Sequence, residues 1–291
     1  MSRSAAAGLR EPRARPRRAR SRWRRRLSPW MRRLSRWSRW AWRELRAAPS
    51  WVQATAGVVF TLALFFSLNG LYQVIRKPAE LFFPVAGTLS KAPAETWRQY
   101  GPLFRQHSTT VMTPELLAAL AQVEGAGNPV ARTYWRWQFS WNLFRMYQPA
   151  SSAVGMYQIT NGAFRDARRY CIHDHAVVED GPWHEWSSCW FNGLYTRVVP
   201  SHAVEMTSGW LDRNVEWALM RQRVKGATLQ QKQDLAALIH LCGPGTGEAY
   251  ARRGFKLTAA ARCGDHDARA YLARVNAMKR YFAFKANATG D

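Results

Sequence analysis

In the stretch PELLAALAQVEGAGNP, residues 114–129, a single carboxylate, Glu124, closes an apolar run and is followed at once by glycines. On a helix it stands four places after Leu120 and seven after Leu117, so it projects from the stripe that carries the leucines. Desolvation there, and the negative end of the helix, both favour a carboxyl that keeps its proton. A carboxylic acid still protonated near neutral pH is what protonating a glycosidic oxygen requires. Gly125 and Gly127 would leave the backbone open to a bulky ligand. By itself the pattern also fits a solvated or ion-paired surface glutamate, and further motifs have to separate the two.

Cys171, Cys189, Cys242 and Cys263 are the other residues with chemistry of their own. Four cysteines allow three connectivities, of which the sequential pairing Cys171 with Cys189 and Cys242 with Cys263 is the most local. A zinc site using His173, His175 and His184 is the alternative, but no C-x-x-C spacing supports it. No metal and no cofactor is expected.

These residues sit in a chain of 291 with 47% hydrophobic content, ample for a buried core and incompatible with a disordered protein. The formal charge of +24 is unevenly distributed: 17 arginines lie between Arg3 and Arg46, against Glu11 and Glu44 as the acids. Past Lys77 there are 24 basic and 17 acidic residues, the balance of an ordinary soluble domain. The excess therefore belongs to an N-terminal arm, residues 1–50.

Residues 51–75, WVQATAGVVFTLALFFSLNGLYQVI, carry no charged side chain. At ~1.5 Å rise per residue they exceed the ~30 Å hydrocarbon core of a bilayer. A buried soluble helix is the alternative, but length, the arginine flank and the Trp cluster agree on a membrane span. The arginines precede it, so the positive-inside rule keeps the N-terminus cytoplasmic and exports the chain beyond residue 76. Secretory apolar segments are shorter and start after a short basic stretch, which favours an uncleaved anchor. An exported domain also suits cysteines that pair as disulfides.

Residues 1–21 are Arg, Pro and Ala without apolar periodicity and read as disordered. From Trp23 a stripe emerges, Trp23, Leu27, Trp30, Met31, Leu34 and Trp37, with arginines on the other face. Such a helix lies in the plane of an anionic membrane. Nucleic acid is the rival for any arginine tract, but the Trp stripe and the adjoining span favour lipid, and no nucleic-acid partner is expected. Residues 76–93 have the prolines and small residues of a linker.

From residue 94 to the C-terminus the chain reads as mainly α. Thr113 and Pro114 open one helix as N-cap and first position, and another begins at Ser201 with Met206, Trp210 and Trp217. TLQQ, Thr228 to Gln231, is a capping box ahead of a helix that Gly243, Pro244 and Gly245 stop. Tyr271, Val275, Met278 and Phe282 mark the last helix. No long alternating stretch demands a sheet.

Three segments, EGAGNP, GMYQI and IHLCGPG, come one after another in that order from Glu124 to Gly245. Here the chain resembles the lytic transglycosylases of the Slt type, relatives of goose-type lysozyme, over residues 111–255. Their hallmarks are Glu-Ser-x-Phe-Asn-Pro, Gly-Leu-Met-Gln-Ile and an Ala-Tyr-Asn-Ala-Gly-Pro-Gly turn. Gly125 departs from their Ser, Tyr157 from their Met, and His240 and Leu241 from their Tyr-Asn.

The resemblance implies a lysozyme-like helical domain, which the single N-terminal transmembrane helix read above would hold on the periplasmic face of a bacterial inner membrane. It implies peptidoglycan glycan strands as substrate, cut at the MurNAc-β-1,4-GlcNAc bond. Glu124 would protonate the leaving oxygen and then, as carboxylate, deprotonate the muramyl 6-hydroxyl to close a 1,6-anhydro ring. Gly155, Met156, Tyr157, Gln158, Ile159 and His240 would form the substrate-binding wall. One carboxylate suffices because the substrate supplies the nucleophile. An inverting hydrolase would want a second; Asp166, Asp174 and Asp180 read as surface instead. The aromatics Trp135, Trp137, Trp141, Tyr147, Tyr157 and Trp183 read as mostly core, with one or two stacking on sugars. A hydrolytic muramidase and a non-catalytic peptidoglycan-binding scaffold are the competing readings.

Overall fold

A computed structural model of the chain describes residues 29–182, 184, 188–258 and 260–289. The segment 1–21, Trp23 and Leu27 of the Trp stripe, and Trp183 lie outside these, as do the side chains of Trp30, Met31 and Leu34. The described chain is mainly helical and divides into two compact units, Met1–Phe66 and Ser67–Asp291.

The first unit holds α1 (Pro29–Ala47) and most of α2 (Ser50–Arg76). On α1, Trp37 and Trp40 meet edge to face at 5.6 Å, and the Arg46 guanidinium stands 4.9 Å from the Trp42 ring centre. All three tryptophans are exposed. α2 is long and apolar enough to cross a membrane. Its Val58, Val59, Phe60, Leu62 and Leu64 are exposed, so the rest of the described chain does not cover this part of the helix. Thr55 and Thr61 donate their hydroxyls to the Trp51 and Gly57 carbonyls, so these polar groups are satisfied within the helix.

In the second unit, residues 76–93 do not form the free linker that their composition suggests. Helical turns at Pro78–Phe82, α3 (Phe83–Ala86) and Gly87–Leu89 lie folded against the unit. The buried Glu80 is the reason: it pairs with Lys77 at 3.1 Å and Arg132 at 3.2 Å and accepts from the Trp135 indole at 2.9 Å. Burial lowers the Lys77 ammonium's affinity for its proton, and the bond to Glu80 opposes this.

The core is built on α5 (Pro114–Gly125), where Leu116 to Ala121 are all buried. Thr113 caps it by accepting from the Leu116 N–H at 3.4 Å, with Pro114 in the first turn as its sequence predicts. α4 (Pro93–Gln106) and α10 (Ala268–Thr289) pack on it, joined by Trp97 stacked on Phe282 at 5.6 Å. α7 (Pro200–Arg221) begins one residue earlier than expected. It packs with α8 (Leu229–Cys242), whose Thr228 and Gln231 complete the anticipated capping box, and with α9 (Pro244–Arg252). The short α6 (Asn161–Ala167) is capped by Thr160.

Three short antiparallel ribbons accompany the helices of this mainly α domain: β1 (Trp135–Trp137) with β2 (Tyr147–Pro149), β3 (Tyr170–His173) with β4 (Ala176–Glu179), and β5 (Arg262–Cys263) with β6 (His266–Asp267). The cysteines pair sequentially, Cys171 with Cys189 and Cys242 with Cys263, so every cysteine of the chain is in a disulfide. The second bridge ties the end of α8 to β5.

Candidate active site

Glu124 is the next-to-last residue of α5. The helix stops because Ala126 turns left-handed at φ 49° and Gly127 follows at φ 63°, their N–H groups returning to the Gln122 and Ala121 carbonyls at 3.0 and 3.1 Å. The folded segment before α4 braces this end. The Lys91 N–H donates to the Ala126 carbonyl at 2.8 Å, Gln122 donates to the Lys91 carbonyl at 3.0 Å, and Asn128 donates to the Ala86 carbonyl.

The Glu124 side chain is 17% exposed, neither sunk in the core nor free in solvent. Its Oε1 accepts a hydrogen bond from the Tyr271 hydroxyl at 2.5 Å, and His240 Nε2 stands 3.8 Å from the same oxygen. Burial, then the charge and hydrogen bond of Glu124, push the Tyr271 phenol well above its ordinary range, so it remains a donor at any physiological pH. This fixed donor on Oε1 orients the carboxyl.

Gly125 and Gly127 do not open the backbone to a ligand, as their sequence suggests. A β-carbon at Gly125 would lie 2.8 Å from both the Cα and the carbonyl oxygen of Met156, and one at Gly127 would run into Thr96. Both admit the protein's own chain. The close approach at Gly125 seats the GMYQI turn directly on the end of α5.

That turn is a tight reversal. Val154 and Ile159 bond to each other at 3.2 and 3.1 Å, Gly155 bends at φ 83°, and Gln158 is left-handed at φ 46°. The Gln158 amide donates to the Gly155 and Ala131 carbonyls at 2.9 and 3.1 Å. Arg197 clamps the turn from outside, donating to the Ser152 and Ile159 carbonyls at 2.8 Å each.

The sequence-predicted wall separates into two groups. Gln158, Ile159 and His240 line one small recess of about 40 Å³, together with Thr160, Thr207 and Trp210. Met156 and Tyr157 are wholly buried in the core, so their side chains pack rather than meet a ligand, and Gly155 contributes its bend. Tyr157 is too deeply buried to ionise, its phenol held far above the usual range. Glu124 adjoins the recess through His240 rather than lining it.

Asp166, Asp174 and Asp180 are exposed, and Asp180 pairs with Arg169 at 3.3 Å. Among the described residues no carboxylate lines the recess, and no group of three or more His, Cys, Asp or Glu side chains could hold a metal ion. Of the aromatics, Trp137 and Trp141 are exposed, whereas Trp135 and Tyr147 are half-buried.

Sequence reasoning misses Tyr271, Arg197 and Thr207. Tyr271 is visible only as one apolar member of the last helix's stripe, although a tyrosine among aliphatic positions must find a partner for its hydroxyl. Thr207 is buried in the recess wall, and its hydroxyl has no hydrogen-bond partner. Compared with models of known protein families and with curated proteins, the chain finds no match.

Proposed function

We propose that this protein is a membrane-anchored lytic transglycosylase with a lysozyme-like, Slt-type helical domain. It cleaves the MurNAc-β-1,4-GlcNAc bond of peptidoglycan and forms 1,6-anhydroMurNAc. The observation that carries the reading is Glu124. It is a partly buried carboxyl oriented by Tyr271, against His240, at the edge of a recess built from the GMYQI turn and the end of α8.

In this reading Glu124 gives its proton to the leaving glycosidic oxygen as that bond breaks. The resulting carboxylate then takes the proton of the muramyl 6-hydroxyl, whose oxygen closes on C1, so the carboxyl is regenerated and no water is consumed. General acid–base catalysis of this kind contributes roughly 10²–10⁴-fold. Tyr271 holds the carboxyl through both half-steps, and His240 in the recess wall offers a polar contact to the sugar.

α2 crosses the inner membrane once, with the arginine arm cytoplasmic and against anionic lipid, and the second unit in the periplasm. The arginine asymmetry and the paired cysteines support this arrangement.

Digestion of purified sacculi by the full chain, followed by mass spectrometry, tests the chemistry. Anhydro ends are expected; reducing ends would replace the reading with a muramidase. Glu124→Gln should lower release of muropeptides by about 10²–10⁴-fold while sedimentation with sacculi persists. Wild type and variant releasing equally little would leave a non-catalytic scaffold.

A further inference from the structure

The ribbon β1–β2 and the loop at its tip expose an aromatic surface that the glycan chemistry does not use. Trp141 is 95% exposed and Phe139 88%, the two rings meeting edge to face at 6.1 Å. Trp137, Leu143 and Phe144 are exposed beside them. Soluble surfaces seldom gather apolar side chains in this way without a use for them.

The ribbon is not loose. Trp135 and Trp137 pack on Tyr147 at 5.1 and 4.8 Å, and the Gln138 N–H donates to the Met146 carbonyl at 2.8 Å. It is also fastened to α2. Asn69 and Gln73, four residues apart on one face of that helix and almost wholly buried, donate to the Tyr147 and Phe144 carbonyls at 2.7 Å each. The Tyr72 ring lies 4.9 Å from Phe144, and Lys77 donates to the Ser151 carbonyl at 3.2 Å.

These bonds fix where along α2 the ribbon sits. The uncharged run reaches Leu68 before its first amide in the second half, Asn69, so a bilayer ~30 Å thick takes up residues 51 to about 70. The turns that hold the ribbon then lie at the membrane surface. The ribbon's composition matches that level: aromatic side chains, the exposed Arg136 and Arg145, and no acidic residue between Ala131 and Pro149. Trp and Tyr concentrate at the headgroup boundary, and arginines there meet anionic lipid.

We propose that residues 137–145 form a second membrane contact, inserted into the headgroup and upper acyl region of the leaflet from which α2 emerges. The occupant is a bilayer containing anionic lipid. A lone spanning helix leaves its domain free to turn about the helix axis; a second contact, bonded to one side of that helix, removes this freedom and fixes which way the recess faces. The inference rests on α2 spanning a membrane and is independent of the glycan chemistry.

Because every cysteine is paired, an added one is a unique label. The full chain carrying Phe139→Cys or Trp141→Cys, labelled with the environment-sensitive dye NBD, is placed in nanodiscs of phosphatidylcholine and phosphatidylglycerol. Blue-shifted emission, quenched by nitroxide lipids labelled near the headgroup and protected from aqueous iodide, is expected at both positions. Met220→Cys, exposed on α7, supplies the solvent baseline, and Leu62→Cys reports on the span. Lipid quenching at 62 with water-like, iodide-quenched emission at 139 and 141 overturns the inference while the span stands. Loss of lipid quenching at 62 removes the span and the inference together. A photo-crosslinker at 141 that captures a second copy or another protein in intact membranes, without lipid quenching, also overturns it.

Discussion

The second unit uses aromatic side chains in two opposite ways. Around α4, α5 and α10, Trp97, Tyr100, Phe104, Tyr271 and Phe282 are buried, whereas Trp137, Phe139 and Trp141 of the ribbon stand in the open. In the core the rings set the distance between helices. Phe282 and Tyr271 are eleven residues apart, about three turns of α10, and so share a face. The stacking of Phe282 on Trp97 therefore also fixes where the Tyr271 hydroxyl meets Glu124. In the ribbon Trp137 packs only on Tyr147 of the facing strand, Phe139 and Trp141 meet each other, and backbone carbonyls gripped by Asn69 and Gln73 fasten the ribbon to α2. Aromatic content alone therefore does not mark a function in this protein. The two regions are separated by whether removing a ring costs the fold or only a contact.

The largest effect expected on that distinction comes from Phe282→Ala. Emptying a fully buried aromatic site costs about 3–5 kcal/mol, read as a lowered midpoint in urea unfolding of the protein. The same substitution should weaken muropeptide release, because the helix that presents Tyr271 loses its anchor. A cost below about 1 kcal/mol would mean that the core does not position the site as described.

Gly125→Ser is the next test and sharpens where the core ends and the site begins. The serine belongs to the resembled motif, so the motif alone favours it. The Met156 backbone 2.8 Å from the added β-carbon opposes it, since main-chain atoms cannot swing aside as a side chain can. Overpacking of this kind costs about 1–3 kcal/mol. We expect a lower melting temperature and reduced turnover, and an unchanged melting temperature would refute the close approach.

How legible the structure is in the sequence depends on the range of the interactions. Thr113 with Pro114, and Thr228 with Gln231, are signals read within four residues, and both helix starts appear where expected. The disulfides span 18 and 21 residues and obey the most local pairing. The Tyr271 bond to Glu124 joins residues 147 apart, and no local pattern announces it. Gly125 misleads because a glycine signals close approach without saying what approaches. The stretch with a linker's composition is ordered by Glu80, whose partners Arg132 and Trp135 lie more than fifty residues on. The ribbon, by contrast, has a local signal. WRWQFSWN, residues 135–142, places aromatics at every second position with polar residues between, the two-residue period of a strand. That signal is easily read as core, because an apolar face of this kind ordinarily lies against one, and here it does not.

The smallest expected effect is the one that decides how far apart the two regions are. Phe139→Ser together with Trp141→Ser should change the unfolding free energy by no more than about 0.5 kcal/mol, the usual range for exposed positions. Muropeptide release from soluble glycan fragments in detergent should also stay at the wild-type level, since neither ring touches Glu124, Tyr271 or the recess. A large loss of stability would mean that these rings pack within the fold, and the division between core and contact aromatics would fail. A large loss of turnover on fragments would instead place them on the glycan. Only an unchanged fold with unchanged chemistry leaves the ribbon as a surface for something outside the protein, and Asn69 and Gln73 tie that surface to the one helix, among the described residues, able to enter a membrane.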